Sequence, residues 1–307
     1  MSKPKPIALF CADLHLSTRK PEWRGEEDYG AVCRDKLVQI MRLGVEHDIP
    51  VLIAGDVFDK ARDHNALDIF LNAPKPDAGV YAVKGQHDMV SHNEVEKSAF
   101  DNACSADHLS HLTSWIFCGC GIILRPSVCV HGCGWGQKIP EPKQNTFNIL
   151  VIHRQYWHGT PITPGQKDGN AEIALRTELK GFDLIFSGDN HIPFVVSDGE
   201  RRLFNCGAIC RRNIDQATTE PRVYILHDDL TVDVKFLDTQ AVWLTEQQEE
   251  RKRHIEAGAE FVDKLAGGTF KAQDSYKDLL KAEGNKHIGT PVGTMLLELA
   301  TLERKTA

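Results

Sequence analysis

The chain has 307 residues, 41% of them apolar and 26% charged, with a net charge of −7 and a pI near 6.1. These values fit a globular chain long enough for one large domain plus an appendage, or for two domains. They exclude a coat protein held to nucleic acid by bulk positive charge, though not a local basic groove, and no apolar run approaches the ~20 residues of a membrane helix.

The N-terminal stretch MSKPKPIALFCADLHL turns polar at Asp13 with no small-residue cleavage site, so PIALFCAD reads as a first strand rather than an export signal. A cytoplasmic protein is expected. The nine cysteines are odd in number and scattered, which fits reduced thiols better than a disulfide framework. DYGAVCRDKLVQIMRLGVEH predicts a helix, with Val32, Leu37, Ile40, Met41 and Val45 on one stripe. PVLIAGD is the next strand, HNALDIFLNA a short helix and GVYAVKG a third strand. This β-α-β-α-β alternation, with strands apolar on both faces, predicts a buried sheet covered by helices.

Beyond residue 114 the pattern becomes richer in strands. SWIFCGCGIILRPSVCVHGCGWG predicts a hairpin turning at Arg125-Pro126-Ser127. FNILVIH and FDLIFSGDNH are strands on either side of the helical AEIALRTELKG. FVVSDGERRLFNCG and RVYILHDDLTVDVKFLD predict hairpins turning at Asp198-Gly199 and Asp228-Asp229. Near residue 240 the composition shifts. Thr245 and Gln248 open a helical pattern that stops at Gly267-Gly268, so residues 1–239 are read as the main domain and 240–307 as a helical appendage, a candidate docking element or reduced cap.

Five polar clusters follow strand-like runs: DLH at 13–15, GDVFD at 55–59, GQHD at 85–88, IHR around His153 and GDNH at 188–191. Ligand sites in open α/β sheets lie outside the carboxyl ends of the strands. One such cluster is weak evidence, because a lone histidine after a strand is more often a packing residue; the ordered set is a strong pattern. Carboxylates, imidazoles and an amide gathered at one edge suit two-metal phosphoester hydrolysis, in which paired cations clamp the attacking and leaving oxygens. Mixed N/O ligands suit Mn²⁺, Fe or Zn²⁺.

The series resembles the calcineurin-like metallophosphoesterases, whose motifs run D-x-H, G-D-x-x-D, G-N-H-[DE], H and G-H-x-H. The form GDVFD, followed by Lys60-Ala61, resembles the nuclease branch typified by SbcD rather than the protein phosphatases, and FNCGAICRR resembles the segment after the last motif in that branch. The resemblance spans roughly residues 6–236 and implies an α/β fold of four layers, two mixed sheets flanked by helices. It implies that Asp13, His15 and His191 bind a first metal, that Asp56 bridges, and that Gln86, His153 and Asp189 stand at a second. His87 would be the catalytic histidine, oriented by Asp59, with Asp88 as support. Two residues depart from the pattern: Gln86 replaces Asn and Asp189 replaces the first His of the last motif.

The expected activity is that of a metal-dependent DNA exo- or endonuclease of the SbcD type. Two divalent ions are expected, Mn²⁺ foremost, with Mg²⁺, Fe and Zn²⁺ as alternatives. The expected partners are DNA, an SbcC-like ATPase and a second copy of the chain, with no membrane. The alternatives are a phosphodiesterase or phosphatase on a small nucleotide, or a non-catalytic binding module with a degenerate site. Arg154, Arg211 and Arg212 are candidate substrate contacts. Cys118, Cys120, His131 and Cys133 could form a zinc set on the predicted hairpin. Their spacing lacks tight C-x₂₋₄-C knuckles, so small residues filling a sheet interior are the preferred reading. His108 and His111 read as packing residues, and His92 and Asn93 as loop residues near the third motif.

Overall fold

The computed structural model describes residues 3–22, 24–90, 97–112, 128–159, 161, 168–213 and 216–238. The expected appendage, 240–307, lies outside them, as do His92, Asn93, Cys118, Cys120 and the turn at Arg125–Ser127. Two mixed sheets form the centre. The first has the order β11(Val232–Phe236), β10(Arg222–His227), β1(Pro6–Cys11), β2(Val51–Ile53), β3(Val80–Ala82), β4(Ser110–His111). β1 to β4 run parallel, while β10 is antiparallel to both β1 and β11. The second has the order β5(Val128–Cys133), β6(Phe147–His153), β7(Leu184–Gly188), β9(Arg202–Asn205), β8(Phe194–Ser197), all parallel except β8.

The period-2 alternation of each strand sorts its side chains between layers. Along β1, Ala8 and Phe10 enter the core between the sheets, while Leu9 and Cys11 pack under the helices. Along β6, Ile149 and Val151 face the first sheet, while Leu150 and Ile152 pack with Ala171, Ala174 and Leu175 of α4(Ala171–Arg176). Phe10 stacks on Phe186 at 3.7 Å between ring centroids, joining the two sheets. On the opposite face lie α1(Tyr29–His47), α2(His64–Leu71) and α3(Ala99–Ser105). Asp28, Asp63 and Ser98 cap them by accepting main-chain N–H groups of Ala31, Ala66 and Asp101. The fold is thus the expected pair of mixed sheets flanked by helices.

One local expectation changes. Val45 is 49% exposed and not on the buried stripe of α1: in that last turn the sheet covers its neighbour Gly44, which lies against Val51, and Val45 sits about 100° round the helix from it. The hairpin expected to turn at Arg125-Pro126-Ser127 lies outside the described residues except for its second arm, β5, which pairs in parallel with β6. α3 and β4 have no clear periodic signal, being only 7 and 2 residues long. His111 packs edge-on against Phe100, as expected of a packing residue. All described cysteines are free thiols. Among the described residues no helix is long and apolar enough to cross a membrane.

Candidate metal centre

The parallel strands of both sheets deliver their carboxyl ends to one edge. After β1 and β2 the chain runs as a zipped pair: the amides of Asp13, His15 and Leu16 donate to the carbonyls of Gly55, Asp56 and Val57 at 3.1, 2.9 and 3.0 Å. Asp13, His15 and Asp56 have φ of 50°, 43° and 49°, and Asp189 after β7 has 79°. Side chains seldom adopt these values, though Asp and His do so more readily than most. Two glycines allow the close packing. A methyl group on Gly85 would lie 2.0 Å from Asp56 Oδ1, and one on Gly55 would lie 2.2 Å from His153 Nδ1.

Three carboxylate–imidazole clusters result, each with its candidate ligand atoms within 4.8 Å of one another: Asp13–His15–His191, Asp13–Asp56–His153 and His15–Asp59–His87. Asp13, His15, Asp56 and His153 are all at most 1% exposed. His15 Nε2 lies 3.0 Å from His191 Nε2. Asp56 Oδ2 sits between two imidazoles, 3.6 Å from His15 Nε2 and 3.4 Å from His153 Nε2. Gln86 Oε1 lies 2.8 Å from His153 Nε2, and the Gln86 amide nitrogen donates to Asp189 Oδ1 at 2.8 Å. Asp189 in turn donates its main-chain N–H to both oxygens of Asp13, at 3.1 Å each.

Burial and mutual charge set the protonation of this group. Burial raises Asp13 well above the carboxylate range, and Asp56 and Asp189 add to the effect. Burial likewise lowers His15 well below the ordinary imidazole value. For Asp56 burial opposes ionisation, but the imidazole of His153 beside it, with His15 and His87 nearby, brings it down to about 2. Burial also opposes charge on His153, yet Asp56, Asp13 and Asp189 raise it to about 10.

The donor set fits divalent cations. Asp56 Oδ2 and His15 Nδ1 are buried with no hydrogen-bond partner, which is rare for side-chain polar atoms in folded proteins. Two buried carboxylates lie beside nitrogens turned toward one another. The 3.0 Å between His15 Nε2 and His191 Nε2 matches two nitrogens at ~2.1 Å from one ion and near a right angle. His153 donates from Nδ1 to the Ala54 carbonyl at 2.7 Å, the outer bond that usually fixes the tautomer of a ligating imidazole.

The predicted residues are placed as follows. Asp13, His15, Asp56, Gln86, His153, Asp189 and His191 converge on this edge. Asp189, however, belongs to none of the three clusters. His87 is exposed, on the short turn after β3; its main-chain N–H donates to Asp56 Oδ1 at 2.9 Å. Its ring Nδ1 meets the main-chain carbonyl of Asp59 at 2.8 Å. Asp59 therefore touches His87 through its backbone, while its carboxylate takes Arg212 at 3.0 Å and approaches His15 Nδ1 at 3.8 Å. Asp88 accepts the main-chain N–H groups of Val57, Phe58 and Gly85 and so supports the loops, as expected. Arg154 is paired with Glu178 at 2.8 Å, and Arg211 donates to the Ala217 carbonyl. Of the zinc candidates, His131 is committed to Asn148 Oδ1 at 2.8 Å and Cys133 lies against the Gln137 carbonyl at 3.7 Å, in keeping with a structural role.

Sequence reasoning missed Gln216. It is fully buried, its Oε1 accepts the main-chain N–H groups of Arg212 and Asn213, and its Nε2 lies 3.0 Å from His191 Nδ1. No motif marks a glutamine in a polar loop, and only the fold brings it under His191.

Two mixed sheets with Asp and His gathered at the carboxyl ends of their strands define a metallophosphoesterase, a class of hydrolase. The family model of the calcineurin-like phosphoesterases matches residues 8–193, more than half of the chain, and the chain belongs to that family. Similar solved structures include an archaeal phosphodiesterase (10% identity, TM-score 0.39, covering 75% of this chain and 99% of that one). A predicted phosphoesterase of Streptococcus pneumoniae TIGR4 has 14% identity and a TM-score of 0.37, covering 79% and 95%. Vacuolar protein sorting 29 of Cryptosporidium parvum has 14% identity and a TM-score of 0.35, covering 78% and 100%. Likenesses of this strength carry no argument about activity. No match was found among curated proteins.

Proposed function

We propose that this chain is a metal-dependent phosphodiesterase that cleaves nucleic acid, a nuclease resembling SbcD with DNA as its substrate. The observation that carries the reading is Asp56 Oδ2, buried, unpartnered and flanked by His15 and His153 from the two sheets. Asp13, His15, Asp56 and His191 would hold one divalent cation, and Asp56, Gln86 and His153 a second. Bound there, such ions would supply Lewis acidity at phosphorus and make a nearby water more acidic. The oxygen-rich second position suits Mn²⁺ or Mg²⁺. His87 donates a hydrogen bond from Nδ1–H to the Asp59 carbonyl, so Nε2 is the ring nitrogen left for substrate, and in its doubly protonated form the ring would pass the Nε2 proton to the departing oxygen and keep the one on Nδ1. Open clefts of about 520 and 440 Å³ flank Asp189 on either side of this edge, room for a chain to lie across it.

A second reading, a phosphodiesterase of small nucleotides, is favoured by one feature. Among the described residues lining both clefts the only lysine or arginine is Arg154, already paired with Glu178. A long polyanion usually meets more cations than that. The two readings separate in one assay series with Mn²⁺ and an EDTA control: bis-p-nitrophenyl phosphate, 3′-labelled single- and double-stranded DNA, and nucleotide esters. Shortened DNA supports the nuclease; turnover confined to nucleotide esters supports the second reading. No hydrolysis of any phosphoester across several divalent metals overturns both.

A further inference from the structure

The two departures from the family pattern touch each other. The Gln86 side chain is held at both ends, by Asp189 Oδ1 at 2.8 Å and by His153 Nε2 at 2.8 Å. The Gln86 amide nitrogen donates to the Asp189 carboxylate, so the end of the amide that faces Asp189 is the NH₂. The carbonyl oxygen is thereby turned toward His153 Nε2, which itself lies 3.4 Å from Asp56 Oδ2. Asp189 is anchored for this task. Its backbone is in the left-handed region at φ 79°, and its N–H is tied to both oxygens of Asp13.

We propose that Asp189, although it occupies a position where the family pattern has a ligand, is a positioning residue: it fixes the Gln86 amide so that Oε1 is the atom offered to the second cation, and the two residues act as one unit. Glutamine is one methylene longer than asparagine and has one more rotatable bond to fix. The carboxylate partner restrains that freedom, as groups behind a metal ligand generally do. The shared substitution also explains why the amide and the carboxylate both differ from the pattern on the same side of the centre. This inference rests on the metal-dependent reading above.

The test is direct measurement of ion binding, by Mn²⁺ titration with electron paramagnetic resonance and calorimetry, on the full chain. Asp189→Ala frees the amide and is expected to weaken the weaker-bound ion ~10–100-fold, the usual effect of removing an outer partner. Asp189→Asn keeps an acceptor for the Gln86 N–H and is expected to change that affinity by less than ~3-fold, whereas a direct carboxylate ligand would lose about as much as with alanine. In a Gln86→Ala background, Asp189→Ala is expected to have no further effect, since coupled residues are non-additive. Circular dichroism melts check that each variant folds.

An equal loss from Asp189→Ala with and without Gln86 overturns the proposal. So does an equal loss from the asparagine and alanine variants, or uptake of a single ion whose affinity neither substitution alters. If Gln86→Ala abolishes the second ion outright, the asparagine variant alone decides. Hydrolysis of bis-p-nitrophenyl phosphate is followed in parallel. Ion binding as described without any turnover removes the phosphodiesterase reading and leaves the pair standing; turnover with no dependence of ion binding on Asp189 does the reverse.

Discussion

On the side of Asp56 that carries Asp13, His15 and His191, one buried nitrogen, His15 Nδ1, has no hydrogen bond and two imidazoles meet head to head at 3.0 Å. On the side that carries Gln86, His153 and Asp189, the polar atoms satisfy one another in an unbroken line: Ala54 carbonyl, His153, Gln86, Asp189. The first side follows the family pattern residue for residue, while the second contains both departures. A half-site in which two imidazole nitrogens 3.0 Å apart share one proton gains most from a cation, which takes both lone pairs at once. A half-site that has closed on itself gains less, because an ion there must displace hydrogen bonds already made. The two sides should therefore fill in order, the first more tightly.

Asp56 is common to both sides, so removing it tests the whole centre. Asp56→Ala is expected to abolish tight ion binding and to lower hydrolysis by on the order of 10³-fold or more, since cations supply several kcal/mol at the transition state. Titration of the variant with Mn²⁺ beside a phosphodiesterase assay checks this. Retention of one tight ion would mean that the first side stands without its bridge. His87→Ala comes next. Its ring Nδ1 is spoken for by the Asp59 carbonyl, so as proton donor it should cost ~10²–10⁴ in kcat and leave the bound ions unchanged. Loss of an ion in that variant would place His87 among the ligands, with His15 and Asp59.

The pH response distinguishes the sides next. In the ion-free chain burial opposes a charge on His153, but the nearby carboxylates, Asp56 first, raise it to about 10 from an ordinary 6.5. A raised pKa stabilises the folded state fully below about 6.5, and that contribution falls as pH climbs through about 10. Asp56, lowered to about 2 from 3.8, has the opposite sense: its contribution is present above 3.8 and is lost as pH falls through about 2. Raised Asp13 and lowered His15 add pH dependences of their own, so the expectation is a difference: in chelated protein the melting-temperature gap between the native chain and Asp56→Ala should be widest between about pH 4 and 6.5 and narrow toward pH 10. A cation at His153 must displace its proton, so filling the second position at pH 7 should release about one proton. Calorimetry in buffers of different ionisation enthalpy measures that number. Zero protons would mean that the ion bypasses His153.

Much of this was legible beforehand because strand alternation and strand-end chemistry are local. Asp13, His15, Asp56 and His153 could be placed from apolar runs that stop at polar residues. The turns at Asp198-Gly199 and Asp228-Asp229 could be placed from residues that favour turns. What could not be read depends on contacts across the chain. Asp59 lies in the second motif, yet its carboxylate belongs to Arg212, more than 150 positions away. Asp189 stands in a ligand position of the pattern, yet faces Gln86 from the other sheet. Val45 follows Met41 by four positions, yet the sheet covers the Gly44 side of that turn and leaves Val45 exposed. A side chain's partner is a property of topology, and topology was implied only by resemblance.

Gln216 sharpens the comparison by the smallest expected effect. Its Oε1 is held by two main-chain donors, Arg212 at 2.8 Å and Asn213 at 3.2 Å, so its NH₂ must face His191 Nδ1. That nitrogen then accepts, and the His191 proton sits on Nε2, toward His15. A cation on the first side needs the Nε2 lone pair, so binding there requires the proton to cross the ring and the amide to turn. Gln216→Glu removes the conflict. A carboxylate accepts from both main-chain donors and also from Nδ1–H, which is the arrangement found behind many metal-bound histidines. The variant should bind the first ion ~10-fold more tightly, leave the second unchanged, and show the shifted tautomer in the ¹⁵N spectrum of His191 without any ion. Unchanged affinity together with a shifted tautomer would mean that the amide turns at no measurable cost when the ion arrives. Unchanged affinity and tautomer would mean that Gln216 does not control His191 at all.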